Sequence, residues 1–169
     1  MAIKVNIWNQ ELHNHYGITN ETSDGKYIPF WDFVEDIPIE YIYKALRSIQ
    51  MKHLLGDIYV LQTYPKESYR AFSLDPMPFQ FFVSILAGTR YIDINYLKHS
   101  VIRGRAVIRI TEKDGTKNIL IKRLSCGGET TRSPHHEAFF NAIYPEVHLS
   151  QETSPNPIKV AIHKYESFR

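Results

Sequence analysis

The stretch VIRGRAVIRIT, residues 101–111, decides how the rest of the chain is arranged. Side chains of a strand alternate between its two faces, so Ile102, Ala106, Ile108 and Ile110 share one side. Arg103, Arg105 and Arg109 share the other, with Val107 among them. A strand with an apolar face and an arginine face belongs at the boundary between a core and solvent. The Asp-Gly pair in KDGT (113–116) predicts a hairpin turn after it, and NILIKRL (118–124), which carries Lys122 and Arg123, reads as the partner strand.

Working back from that strand, YIDINYLKHS (91–100) fits either a short strand or a helical turn. PFQFFVSILAG (78–88) has Phe79, Phe82, Val83 and Leu86 at helical spacing and stops near Gly88, with Asp75, Pro76 and Pro78 opening it. YRAFSLD (69–75) and DIYVLQT (57–63) read as strands joined by YPKES into a hairpin. Upstream, Ile39, Ile42, Ala45, Leu46, Ile49 and His53 predict a helix over 38–55, with Pro38 in its first turn and Gly56 as its cap. IPFWDFV (28–34) is a first strand bounded by prolines and acids.

The order is strand, helix, strand, strand, helix, strand. That predicts an α+β fold with a ferredoxin-like (RRM-like) βαββαβ core over 28–124 and an added C-terminal hairpin. Residues 1–27 form an N-terminal segment, of which 9–26 is polar and reads as a loop. Residues 125–169 form a C-terminal extension packed on the core, with a helix near Glu137–Ile143 and a last strand over IKVAIHKY (158–165).

Composition narrows the class. With 43% hydrophobic and 22% charged residues, the chain can bury a core and does not fit the disordered class. Its single cysteine, Cys126, excludes an internal disulfide and cysteine-rich zinc sites. The N-terminus lacks the apolar run of a signal peptide, and no stretch has the length of a membrane span, so a soluble cytoplasmic protein is expected. The net charge of +2 says little, but its distribution says more. Residues 1–57 hold eight acids against five Lys or Arg, and residues 98–123 hold eight Lys or Arg against two acids. A basic surface on one domain follows.

Three arginines on one face offer permanent donors for phosphate oxygens. Arg70, Lys122 and Arg123 extend this basic set, and Tyr59 and Tyr69 would stack bases if they share the open face. Single-stranded DNA or RNA, and possible nucleotide binding, follow as the expected partners. The alternative is a solvated strand face. Among acids, Asp32 lies inside an aromatic strand and Asp93 follows the second helix. Converging carboxylates of this kind would hold Mg or Mn for nucleotidyl transfer, so both are candidate catalytic and metal-binding residues. Glu35 and Asp36 fit a helix-capping role better. His13, Asn14 and His15 lack the hydrophobic centre of a nuclease triplet. Tyr144 lacks a supporting motif as a nucleophile, and SCGGETT (125–131) reads as a loop.

With that order in hand, residues 28–110 resemble the catalytic core of the archaeo-eukaryotic primase and primase-polymerase superfamily. FWDFVED stands where the family's acidic strand stands, followed by the helix 38–55, IYVLQT, KESYRAFSL and YIDINYL. Asp32 falls on the first acid and Asp93 on a third acidic position, while Thr63 falls near a Ser/Thr position. Val34 occupies the second acid, and Arg70 occupies the place of the family's histidine. The resemblance implies a nucleic-acid-binding, primase-like protein of a DNA-replication system or mobile element whose catalysis has decayed. An active Mg- or Mn-dependent nucleotidyltransferase is the first alternative. An RNA-binding or protein-interaction module is the second.

Overall fold

A computed structural model of the chain describes residues 5–10, 13–63, 68–110, 118–128 and 130–144. The fold is α+β, with four helices and two antiparallel sheets among the described residues. In chain order the elements are β1 (Val5–Gln10), β2 (His13–Thr19), β3 (Phe30–Asp32), α1 (Ile39–His53), β4 (Ile58–Thr63) and β5 (Ser68–Ser73). They continue with α2 (Phe79–Gly88), α3 (Ile94–Arg103), β6 (Val107–Arg109), β7 (Ile119–Leu124) and α4 (Pro134–Ile143).

The larger sheet has the order β3-β5-β4-β7 and the smaller one β1-β2-β6. In the larger sheet β3 and β4, joined through α1, flank β5, and β5 is antiparallel to both. The reason is legible in the side chains. Phe30, Trp31, Ile58, Val60, Leu61, Ala71 and Phe72 are all fully buried, and a strand set this apolar needs cover on both faces. Helix α1 covers it with Ile42, Ala45, Leu46 and Ile49, and α2 with Phe82, Ile85 and Leu86. On α4, Phe140 stacks on Phe72 with ring centroids 3.8 Å apart. The one polar atom of Trp31 is satisfied inside, Nε1 donating to Thr89 Oγ1 at 3.0 Å.

The arrangement corrects the expected core at its last strand. Val101, Ile102 and Arg103 belong to the end of α3, and the strand that follows is three residues long. That strand does not join the large sheet. It pairs with β2, Ile18 opposite Ile108, and β2 pairs with β1, so residues 9–10 and 13–19 of the segment expected as a loop are strand. Nor is β7 the hairpin partner of β6: it pairs with β4, Tyr59 opposite Arg123. The KDGT turn, part of the YPKES turn and the strand expected over 158–165 lie outside the described residues.

Physical causes for the change at α3 are local. Asp93 is its N-cap, with the carboxylate accepting from the N–H groups of Asn95 at 2.7 Å and Tyr96 at 3.3 Å. Gly104 ends the helix in the left-handed region, φ +67°, its N–H donating to Ser100 O and Val101 O. A cap at each end outweighs the β-branched residues between them.

Other caps also differ from expectation. Helix α1 ends on Leu54, not on Gly56, and Leu54 takes the left-handed conformation. Gly56 instead lies against Asp75, its N–H donating to Oδ2 at 2.8 Å, and an added Cβ would come within 2.8 Å of Oδ1. Pro38 is the N-cap of α1 and makes no side-chain hydrogen bond there.

Candidate functional site

Four arginines meet in one cavity of about 200 Å³: Arg70 from β5, Arg103 from the last turn of α3, Arg105 from the loop after it and Arg109 from β6. Tyr96, His99 and Ser100 of α3 and Val107 complete the wall. The three arginines expected on one strand do converge, but from a helix end, a loop and a strand.

Several interactions fix this geometry. Helix α3 is placed by Asp93, whose N–H donates to Asp32 O at 2.9 Å. Tyr96 reaches Phe30 O with its hydroxyl at 3.4 Å, and Ser100 donates to Tyr96 O. Downstream, the loop carrying Arg105 is held by Asn20, a fully buried side chain. Its Oδ1 accepts from Ala106 N at 2.8 Å and its Nδ2 donates to Ile28 O at 3.0 Å. Asn118 donates to Arg109 O at 2.6 Å.

In the wall of the cavity, Arg70 pairs with Asp32, Nε to Oδ1 at 3.2 Å, the two being opposite each other across β3 and β5. Both side chains are mostly buried. Nη1 of Arg70 is buried and has no hydrogen-bond partner among the described residues. Burial pushes the Asp32 carboxyl above its ordinary range, against the pull of Arg70 and Arg109, and the charge of Asp93 adds to the rise. Burial likewise pushes the Tyr96 phenol well up, with Asp32 adding to it.

The remaining residues singled out from sequence lie elsewhere. Tyr59 is fully buried and stacked on Phe72 at 5.0 Å, and burial raises its phenol to about 12. Tyr69 is 5% exposed and belongs to the same core. Neither presents an open face for a base. Lys122 sits over the ring of Tyr43 at 4.6 Å. Arg123 donates from Nε to Asp57 Oδ2 at 2.6 Å, and neither Lys122 nor Arg123 lines the cavity. Tyr144 is buried at the end of α4, its phenol raised by burial to about 12, which suits a core residue and not a nucleophile. His136 is buried, bonded to Thr19 O and Ser133 Oγ at 2.8 Å each.

Asp32 and Asp93 are brought close, but Oδ1 of Asp32 pairs with Arg70 and Oδ1 of Asp93 accepts from two backbone N–H groups. A cation there would face the guanidinium of Arg70, so this donor set fits Mg or Mn poorly. No cluster of three or more His, Cys, Asp or Glu suited to a metal occurs among the described residues. No helix among them is long and apolar enough to cross a membrane. Reading from sequence missed Asn20, Tyr96, His99 and Ser100 as parts of the site. The signal available for three of them was Asp93 followed by an amphipathic run closing on Gly104.

No family model, no curated protein and no solved structure matches the chain.

Proposed function

We propose that the chain is a nucleic-acid-binding protein that uses the arginine cavity to hold phosphate, and that it binds without catalysing nucleotidyl transfer. The observation that carries this reading is the convergence of Arg70, Arg103, Arg105 and Arg109 on one cavity. Guanidinium forks match phosphate oxygens in geometry and keep their charge at any working pH. A solvated basic face has no need of a concavity, nor of a buried guanidinium nitrogen on an arginine that lines it.

The ferredoxin-like reading is supported by the split β-α-β unit formed by β3, α1 and β4 around β5. The resemblance of residues 28–110 to the primase superfamily supports a single-stranded nucleic acid as ligand and a replication system or mobile element as the setting. The loss of enzyme activity rests on Asp32 and Asp93 being committed to Arg70 and to the cap of α3.

Fluorescence anisotropy with single-stranded DNA and RNA oligonucleotides across a salt series tests the binding. Affinity is expected to fall steeply with salt. Arg103→Ala with Arg105→Ala should weaken binding about tenfold or more and make the salt dependence shallower by about two counterions. Binding untouched by that double change would refute the cavity as the contact. Primer extension with Mg or Mn should give no incorporation, and incorporation lost on Asp32→Asn would restore the enzyme.

A further inference from the structure

We infer that His99, which lines the arginine cavity, and Ile102, its neighbour on α3, hold the base of the nucleotide whose phosphate enters the cavity. This rests on the reading of the cavity as a nucleic-acid phosphate site and names the residues that touch the strand beside the phosphate.

A phosphate of a single strand does not arrive alone, because an unpaired base is attached one sugar away. Such bases gain by stacking on aromatic rings and by packing against apolar side chains. The sequence pointed to Tyr59 and Tyr69 for that task, and both are buried in the core. A base contact has to come instead from side chains that border the cavity and are open to solvent. The cavity is half open, so a strand can enter it by one phosphate and continue past it.

Helix α3 supplies such side chains. Of the two rings that line the cavity among the described residues, Tyr96 is partly buried with its hydroxyl on Phe30 O, and His99 is exposed. The His99 ring makes no hydrogen bond or ring contact among the described residues, so nothing in the described fold uses it.

Ile102 lies beside it. Residues three apart on a helix are neighbours, with about 5–6 Å between Cβ atoms. Ile102 therefore flanks His99, and it directly precedes Arg103. It is 80% exposed. A lone aliphatic side chain in water is common, but this one stands next to an exposed imidazole at the edge of a basic cavity. Helix formation does not account for it, since a β-branched residue is a weak choice for an exposed last turn.

Lys98 is exposed as well and sits four residues before Ile102, on the neighbouring part of the helix surface. From the cavity outward the surface thus runs from guanidinium to imidazole, to aliphatic side chain, to ammonium. A single strand presents phosphate, base and phosphate in the same alternation.

The experiment compares two strands with the same number of phosphates against the full chain, by anisotropy at fixed salt. One is oligothymidylate, and the other carries abasic sugars throughout. The base-bearing strand is expected to bind about fivefold more tightly or better. His99→Ala with Ile102→Ala should bring the two strands to one affinity and leave the abasic strand unchanged. His99→Phe keeps a ring and removes its nitrogens, so it should keep the preference. Both positions are exposed, and thermal melting of each variant checks that it is folded. Equal binding of the two strands by the parent would overturn the inference and leave phosphate binding standing. A preference that survives the double change would place the base contact elsewhere and overturn it too. Loss of both strands in His99→Phe would make His99 a phosphate contact in place of a base contact. Weakened binding of Ile102→Ala to phosphatidylserine vesicles, with both strands unaffected, would assign the surface to a membrane and overturn the inference. No binding of either strand would remove both the inference and the function on which it rests.

Discussion

Arginines gather in two regions of this molecule, and the company they keep differs. Around Asp57, Arg123 and Arg132 both donate to a carboxylate that is only 3% exposed, and Arg132 also bonds Glu137 Oε1 at 2.9 Å. Cys126 N donates to the other oxygen of Asp57 at 2.9 Å. Among the described residues these bonds tie β7, Cys126 and α4 to the start of β4. In the cavity four arginines come together, and Arg70 pairs with Asp32. A balanced cluster holds a fold together. Like charges gathered in one concavity repel one another, and under the proposed function an anion would offset that repulsion.

The sharpest way to break the comparison is at Asp57. Asp57→Ala should destabilise the protein by about 3 kcal/mol in chemical denaturation, because it strands two arginines around a buried site. Oligonucleotide affinity should barely change. A loss of binding without a loss of stability would reverse the roles assigned to the two clusters.

Next in size, the double change Arg103→Ala with Arg105→Ala should leave stability within about 0.5 kcal/mol of the parent, since neither side chain is buried in the core. Asp32→Asn should raise the melting temperature at neutral pH. The folded state raises the affinity of this carboxyl for its proton, so ionising it opposes folding as pH rises past the ordinary carboxylate range. A lower melting temperature at pH 7 would mean that the pair with Arg70 outweighs burial.

The smallest effect concerns His136, which lies outside both clusters and so serves as a control on acid sensitivity. Burial lowers its affinity for a proton. The unfolded chain therefore binds the proton first. Stability should be full above pH about 6.5 and fall as pH drops below it, levelling off beneath the lower folded value. His136→Gln should flatten that part of the stability profile. An unchanged slope in the variant would point to other groups.

Much of this was legible in the sequence, for reasons that can be located. Helices α1, α2 and α4 carry apolar periodicity, β4 opens on an apolar run, and β5 sets Tyr69, Ala71 and Phe72 around Arg70, so pattern alone places them. The stretch 94–103 defeats pattern because Val101, Ile102 and Arg103 fit a strand as well as the last turn of a helix. The deciding information sits at its ends, in the carboxylate of Asp93 and the left-handed backbone of Gly104. The β1–β2 hairpin is polar and offers no strong period, so only its partner β6 identifies it. The arginines were correctly grouped although the element that groups them was misread, since short sequence separation keeps Arg103, Arg105 and Arg109 near one another in either conformation. Arg70 joins them by strand register, which depends on long-range pairing. Tyr59 and Tyr69 were misplaced because a tyrosine on a strand has two faces to choose from, and here both rings went inward.

Gly104 stands between Arg103 and Arg105, with open space where a Cβ would go. Steric room is thus no obstacle to replacing it, and the constraint is its backbone angle alone. Both guanidinium groups hang from that one torsion, so the aim of two charges is encoded in a residue that carries no side chain. A substitution there would act like a change of tool angle: the same arginines, in the same number, pointing past each other.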